Sequence, residues 1–179
     1  MRSQDDGMVH LEWASPAAGE WELRGEEGLV ARLSHGERGC VAEAQPNAWT
    51  LQRVGFHHPR VVVRPVGALA EIAHVQSDWR GIHGLHFASG PSWEIDPSHS
   101  AGTVVRDETG AVVMRLAWNG RFDAPGARVT AAVETISGRF GPISLVVAGF
   151  LFLETLGDPA RRISLGVPLG ATARTRFQD

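Results

Sequence analysis

The chain has 179 residues and a mass of 19.3 kDa, one compact domain able to bury roughly 70% of its unfolded surface without disulfide or metal support. Hydrophobic residues make up 43% and charged residues 21%, which excludes the disordered, collagenous and coiled-coil classes. A net charge of -3 and a pI near 6.2 lack the basic face that nucleic acid demands, so no nucleic-acid partner is expected.

Residues 1–19 carry Asp5, Asp6 and Glu12 against Arg2, with Pro16 and no sustained period, and are expected to be a loose lead-in to a domain at 20–157. From Trp21 onward, short apolar or alternating runs are broken by Gly, Pro, Asn and Asp, the signature of strands joined by turns. Residues 21–24 and 29–33 flank Gly25-Glu26-Glu27-Gly28, whose glycines can take the positive φ of a tight hairpin turn. A short strand is expected at 41–44, and a second hairpin at 49–54 and 60–65 around a loop closed by Pro59. Residues 68–76 alternate and predict a further strand, 83–87 pair with 93–96, and 102–107 pair with 111–118 across Glu108-Thr109-Gly110. Asn119-Gly120 predicts a two-residue turn into Arg121-Phe122, and a last strand is expected at 128–137. Trp21, Trp49 and Trp93 each open an apolar strand, a loose internal echo of repeated hairpins.

Residues 142–156 break this pattern. Pro142 suits the first turn of a helix, and Gly157 with Pro159 just past its end is the usual stop. Ser144, Glu154 and Thr155 lie at the ends, whereas 143–153 is otherwise apolar on every face, so the helix is buried either in lipid or in protein. About fifteen residues rise roughly 22 Å, short of a ~30 Å hydrocarbon core, which argues against a membrane span. Within one small domain only the preceding strands can surround such a helix. The expected fold is therefore mainly β, a closed antiparallel barrel of about twelve strands around a central apolar helix near the C-terminus, with a tail at 158–179. Ala148 and Gly149 would let one strand approach closely.

A run of short hairpins ending in a Gly-Pro-started, uniformly apolar helix resembles the Tubby C-terminal-like superfamily, which includes the LURP-one-related proteins and the phospholipid scramblases. The resemblance spans residues 21–157 and rests chiefly on 128–156. It implies a closed barrel of about twelve strands threaded by the apolar helix. In Tubby-type members it implies phosphoinositide headgroup binding by basic exterior residues, and in scramblase-type members a link to lipid movement and calcium. This chain has no lysine, disperses Arg24, Arg32, Arg53, Arg64 and Arg115 over different strands, and shows no acidic calcium loop or cysteine-rich lipidation segment. Arginine without lysine also suits a GC-rich bacterial genome.

Candidate chemistry is sparse. His83 and His86, with Glu94 downstream and His99 beyond, are the candidate metal ligands, but positions three apart on a regular strand face opposite ways unless Gly84 opens a bulge. Their spacing also fails the His-x-His pattern of a cupin. His57-His58, Glu26-Glu27 and Asp107-Glu108 lie in turns, where solvated side chains are expected. The single cysteine, Cys40, permits no internal disulfide or cysteine zinc site and reads as a buried, inert thiol. No nucleophile elbow, phosphate loop or His-Glu-x-x-His helix occurs, and no cofactor is expected. In the tail, Arg161, Arg162, Arg174 and Arg176 against two aspartates leave a net +2 that could touch an acidic partner or anionic lipid. Without a basic-then-apolar opening run, the expected compartment is the cytoplasm. The sequence favours a non-enzymatic barrel that binds a partner protein or lipid headgroup on its outer surface. The rivals are a histidine-dependent metal protein and a membrane-anchored protein using 142–156.

Overall fold

Strands with one apolar face bury it by wrapping round a common core, and alternation along this chain does that almost without interruption. The computed structural model describes residues 7–36, 39–56, 59–99, 102–119 and 126–157, the side chains of 98–99 and 155–157 excepted. Among them run β1 (Met8–Ala17), β2 (Glu20–Gly25), β3 (Gly28–Gly36), β4 (Gly39–Ala44), β5 (Asn47–Val54) and β6 (Arg60–Pro65). There follow β7 (Ala73–Ser77), β8 (His83–Phe87), β9 (Ser92–His99), β10 (Gly102–Arg106), β11 (Val112–Trp118) and β12 (Ala127–Ala132), then α1 (Val133–Ser137) and α2 (Gly141–Gly157). Every strand pairs antiparallel with its neighbour in sequence, and β1 pairs with β12 from Met8↔Ala132 to Trp13↔Ala127, so the sheet closes into a barrel.

The helix α2 runs through that barrel. Leu145, Val146, Val147, Ala148, Phe150 and Phe152 are all buried, as uniform apolarity requires. α2 packs most closely against β3, β4, β10, β11 and β12. Two of these strands are lined with small side chains, Cys40, Ala42 and Ala44 on β4 and Ala127, Val129 and Ala131 on β12, which makes room for a helix. Trp49, Leu85, Phe87, Trp93 and Ile95 supply the larger side chains on other parts of the inner wall. One barrel mouth is closed by Phe140, whose ring lies 4.4 Å from that of Phe87. The other is closed by His35 stacked on Phe150 at 5.7 Å and by an Arg53–Glu154 ion pair from wall to helix.

Four expectations need correction. Residues 1–19 are not a loose lead-in throughout, because β1 is a wall strand with Val9, Leu11 and Trp13 turned toward the core. Its period-two signal is short, and Pro16 falls at an irregularity between Ala14 and Ala17, where a residue without an amide hydrogen is tolerated. The strand expected at 68–76 starts only at Ala73, because Gly67 (φ +79) and the Ala68 amide bonded to the Pro65 carbonyl turn the chain first. The strand expected at 128–137 ends at Ala132, where α1 carries the chain across the mouth so that α2 can enter. The two-residue turn expected at Asn119-Gly120 is not what joins β11 to β12. Trp118 pairs with Ala127 and the Asn119 amide donates to the Gly126 carbonyl at 3.1 Å, while 120–125 lie outside the described residues. Among the described residues no helix is long and apolar enough to cross a membrane.

Candidate functional site

Because α2 occupies the lumen, sites for other molecules lie on the wall and rims. A groove of about 590 Å³ runs along the outer face of β7 to β10. It exists because two neighbouring strands present almost no side chain outward at its centre: Gly84 on β8 and Ser92 on β9, each beside a lumen-facing residue, Leu85 and Trp93. Gln76 and His86 flank it on one side, and Glu94, Arg106 and Glu108 on the other.

His86 is held in place. Its Nδ1 lies 2.8 Å from Ser92 Oγ, and its ring centroid lies 5.0 Å from that of His74. His74 Nδ1 in turn meets Glu71 Oε1 at 2.7 Å, and Arg60 Nη2 approaches Glu71 Oε2 at 3.5 Å. The His86 ring folds back over Gly84, so that a Cβ at Gly84 would fall 2.7 Å from Nε2. This is not a hydrolytic arrangement. The carboxylate of the network orients His74, not the histidine that touches the serine, so Ser92 lacks the ordered serine–base–acid relay that activates a hydroxyl.

Across the groove the charge is mostly negative. Arg106 Nε lies 3.8 Å from Glu94 Oε1, and Glu108 Oε2 accepts the Trp93 indole N–H at 3.1 Å. Asp107 accepts the Thr109 hydroxyl at 2.6 Å and the Thr109 and Ala111 amides at 2.9 and 3.0 Å. The Thr109 hydroxyl, ahead of those amides, holds the Asp107 carboxyl below the usual carboxylate range. Elsewhere on the wall, Glu22 takes Arg24 at 2.6 Å and Arg32 at 2.7 Å, and Arg32 more than Arg24 holds its carboxyl below the usual range. Arg24, Arg32, Arg60 and Arg106 are thus each engaged by a glutamate.

His83 and His86 do not converge. Pairing is regular on both sides of β8, so no bulge opens at Gly84; His86 faces outward, while His83 lies on the lumen-facing register with its Nδ1 2.7 Å from Ser77 Oγ. His99 ends β9 opposite Gly102, its side chain outside the described residues, as are Arg161, Arg162, Arg174 and Arg176. Among the described residues no three His, Cys, Asp or Glu side chains come together as metal ligands would. Sequence reasoning missed the groove; its only signal, small residues at outward positions of adjacent strands, becomes visible once the register is known.

Cys40 faces the lumen and is buried, which pushes its thiol up to about 12. In the native protein at pH 8 it is expected to resist a disulfide reagent over hours and to react within minutes after denaturation. Prompt native labelling, followed by thiol absorbance, would contradict that burial.

No family model matches the chain, and no curated protein matches it. Its fold is similar to the X-ray structure of a protein from Arabidopsis thaliana, with a TM-score of 0.54 and 14% sequence identity, over 84% of this chain and 93% of that one.

Proposed function

We propose that this chain is a non-enzymatic binding module of the Tubby C-terminal-like barrel type, and that its wall groove takes a basic segment of a partner protein. The observation that carries the reading is the filled lumen beside an outer groove in which Glu94, Asp107 and Glu108 outnumber Arg106. A cleft whose low-dielectric walls carry an excess of one sign of charge concentrates ligands of the other. An anionic headgroup is less well served, because Arg24, Arg32, Arg60 and Arg106 already hold glutamates.

Fluorescence anisotropy of a labelled Gly-Arg-Gly-Arg-Gly peptide tests this. Binding is expected to weaken as salt rises, and Glu94→Gln with Glu108→Gln is expected to lower affinity about tenfold, the scale of two partly screened charge contacts. The glutamine at 108 can still accept the Trp93 indole, so the fold should survive. Calorimetric binding of soluble inositol trisphosphate, lost on Arg24→Gln and Arg32→Gln, with no peptide binding, would replace this reading with headgroup recognition.

A further inference from the structure

We propose that the barrel mouth at the C-terminal end of α2 is a membrane-docking rim, with Phe56 and Trp79 as its anchors. It rests on side-chain exposure at the rim, not on the groove's charge, although Asp78 and Ile82 at the base of the Trp79 turn also border the groove. Phe56, in the β5–β6 connection, is 93% exposed, and Trp79, in the β7–β8 connection, is 88% exposed. By contrast Trp13, Trp49 and Trp93 are buried. At the other mouth the exposed side chains are aliphatic, Leu29 at the start of β3 and Val66 and Leu69 in the β6–β7 connection, without an aromatic among them.

The two connections that carry these aromatics follow one another round the same rim. β6 and β7 pair directly, with Arg60 opposite Gln76, so the two connections sit about two interstrand spacings, roughly 10 Å, apart on one rim. The Trp79 turn is rigid: Asp78 Oδ1 accepts the Arg80 amide at 2.8 Å and the Ile82 amide at 3.0 Å, and the Asp78 amide donates to the Ile82 carbonyl at 2.8 Å. That bonding holds the indole out in solvent. Arg80 lies 5.0 Å from the Trp79 ring centroid, which places a guanidinium at the same level as the indole.

Size selects the occupant. Two aromatic side chains bury at most about 500 Å², below the roughly 800 Å² per partner of a stable protein interface. A bilayer surface needs no complementary pocket; it takes projecting aromatic tips at headgroup depth, and guanidinium forks pair with phosphate oxygens there.

Flotation of the full chain tests the rim, with vesicles of phosphatidylcholine alone and of equimolar phosphatidylcholine and phosphatidylserine. The protein is expected to float with both, more with the anionic vesicles. Trp79→Ala and Phe56→Ala should each weaken partitioning about tenfold without lowering the melting temperature. Arg80→Gln should remove the preference for phosphatidylserine. Phosphatidylcholine with brominated chains should quench part of the fluorescence of the native chain but not of Trp79→Ala. Absence of flotation, or flotation that Trp79→Ala and Phe56→Ala leave unchanged, would overturn the proposal. So would a concentration-dependent dimer dissolved by both substitutions, which would assign the rim to a second copy of the chain.

Discussion

Trp13→Ala is expected to cost about 3–5 kcal/mol of unfolding free energy, seen as a lower urea midpoint at unchanged slope. Trp13 is fully buried on β1, and its indole lies against α2 at Gly149, where a Cβ would fall 2.6 Å from the ring. One tryptophan therefore joins the closing strand to the central helix. Gly149→Ala should cost about 1–3 kcal/mol by overpacking. In a Trp13→Phe background the same change should cost less, because the smaller ring leaves space, and this coupling is what a double-mutant cycle reads. Phenylalanine also removes an indole N–H that finds no hydrogen-bond partner among the described residues. A loss below about 1 kcal/mol for Trp13→Ala would mean that β1 does not close the wall.

Val146→Asp and Ala148→Asp, made separately, are each expected to prevent recovery of a folded barrel. Both positions are fully buried, and two residues apart on a helix they point about 200° away from each other. An unpaired carboxylate in such a place costs several kcal/mol, a large part of the roughly 5–15 kcal/mol that holds a domain together. A helix lying against the outside of the barrel would tolerate one of the two. Leu145→Met keeps volume and polarity and should cost under about 1.5 kcal/mol, which separates the effect of charge from that of any change in the core. Far-ultraviolet circular dichroism and size-exclusion chromatography of the three variants decide the matter.

The wall groove and the aromatic rim differ in how they are read. Phe56 stands in the loop that Gly55 and Pro59 mark along the chain, whereas the exposure of its side chain and of Trp79 is seen only in the structure. Gly84 and Ser92 are unremarkable until pairing sets Gly84 opposite Glu94 and Ser92 opposite His86, whose ring folds back over Gly84. The same register separates His83 from His86, a separation that the three-residue spacing already implied for an unbulged strand.

By itself the sequence determined that short alternating strands precede one helix apolar on every face, and that burial of this helix demands a closed wall. Local periodicity carries that information, since it depends only on which neighbours share a face. Whether Met8–Ala17 completes the wall, where α1 turns the chain inward, and which outward residues meet across β7 to β10 were decided by tertiary structure. Each depends on partners more than a hundred residues apart or on strand register, and neither leaves a local signal: Val9, Leu11 and Trp13 acquire their meaning only when β12 arrives beside them.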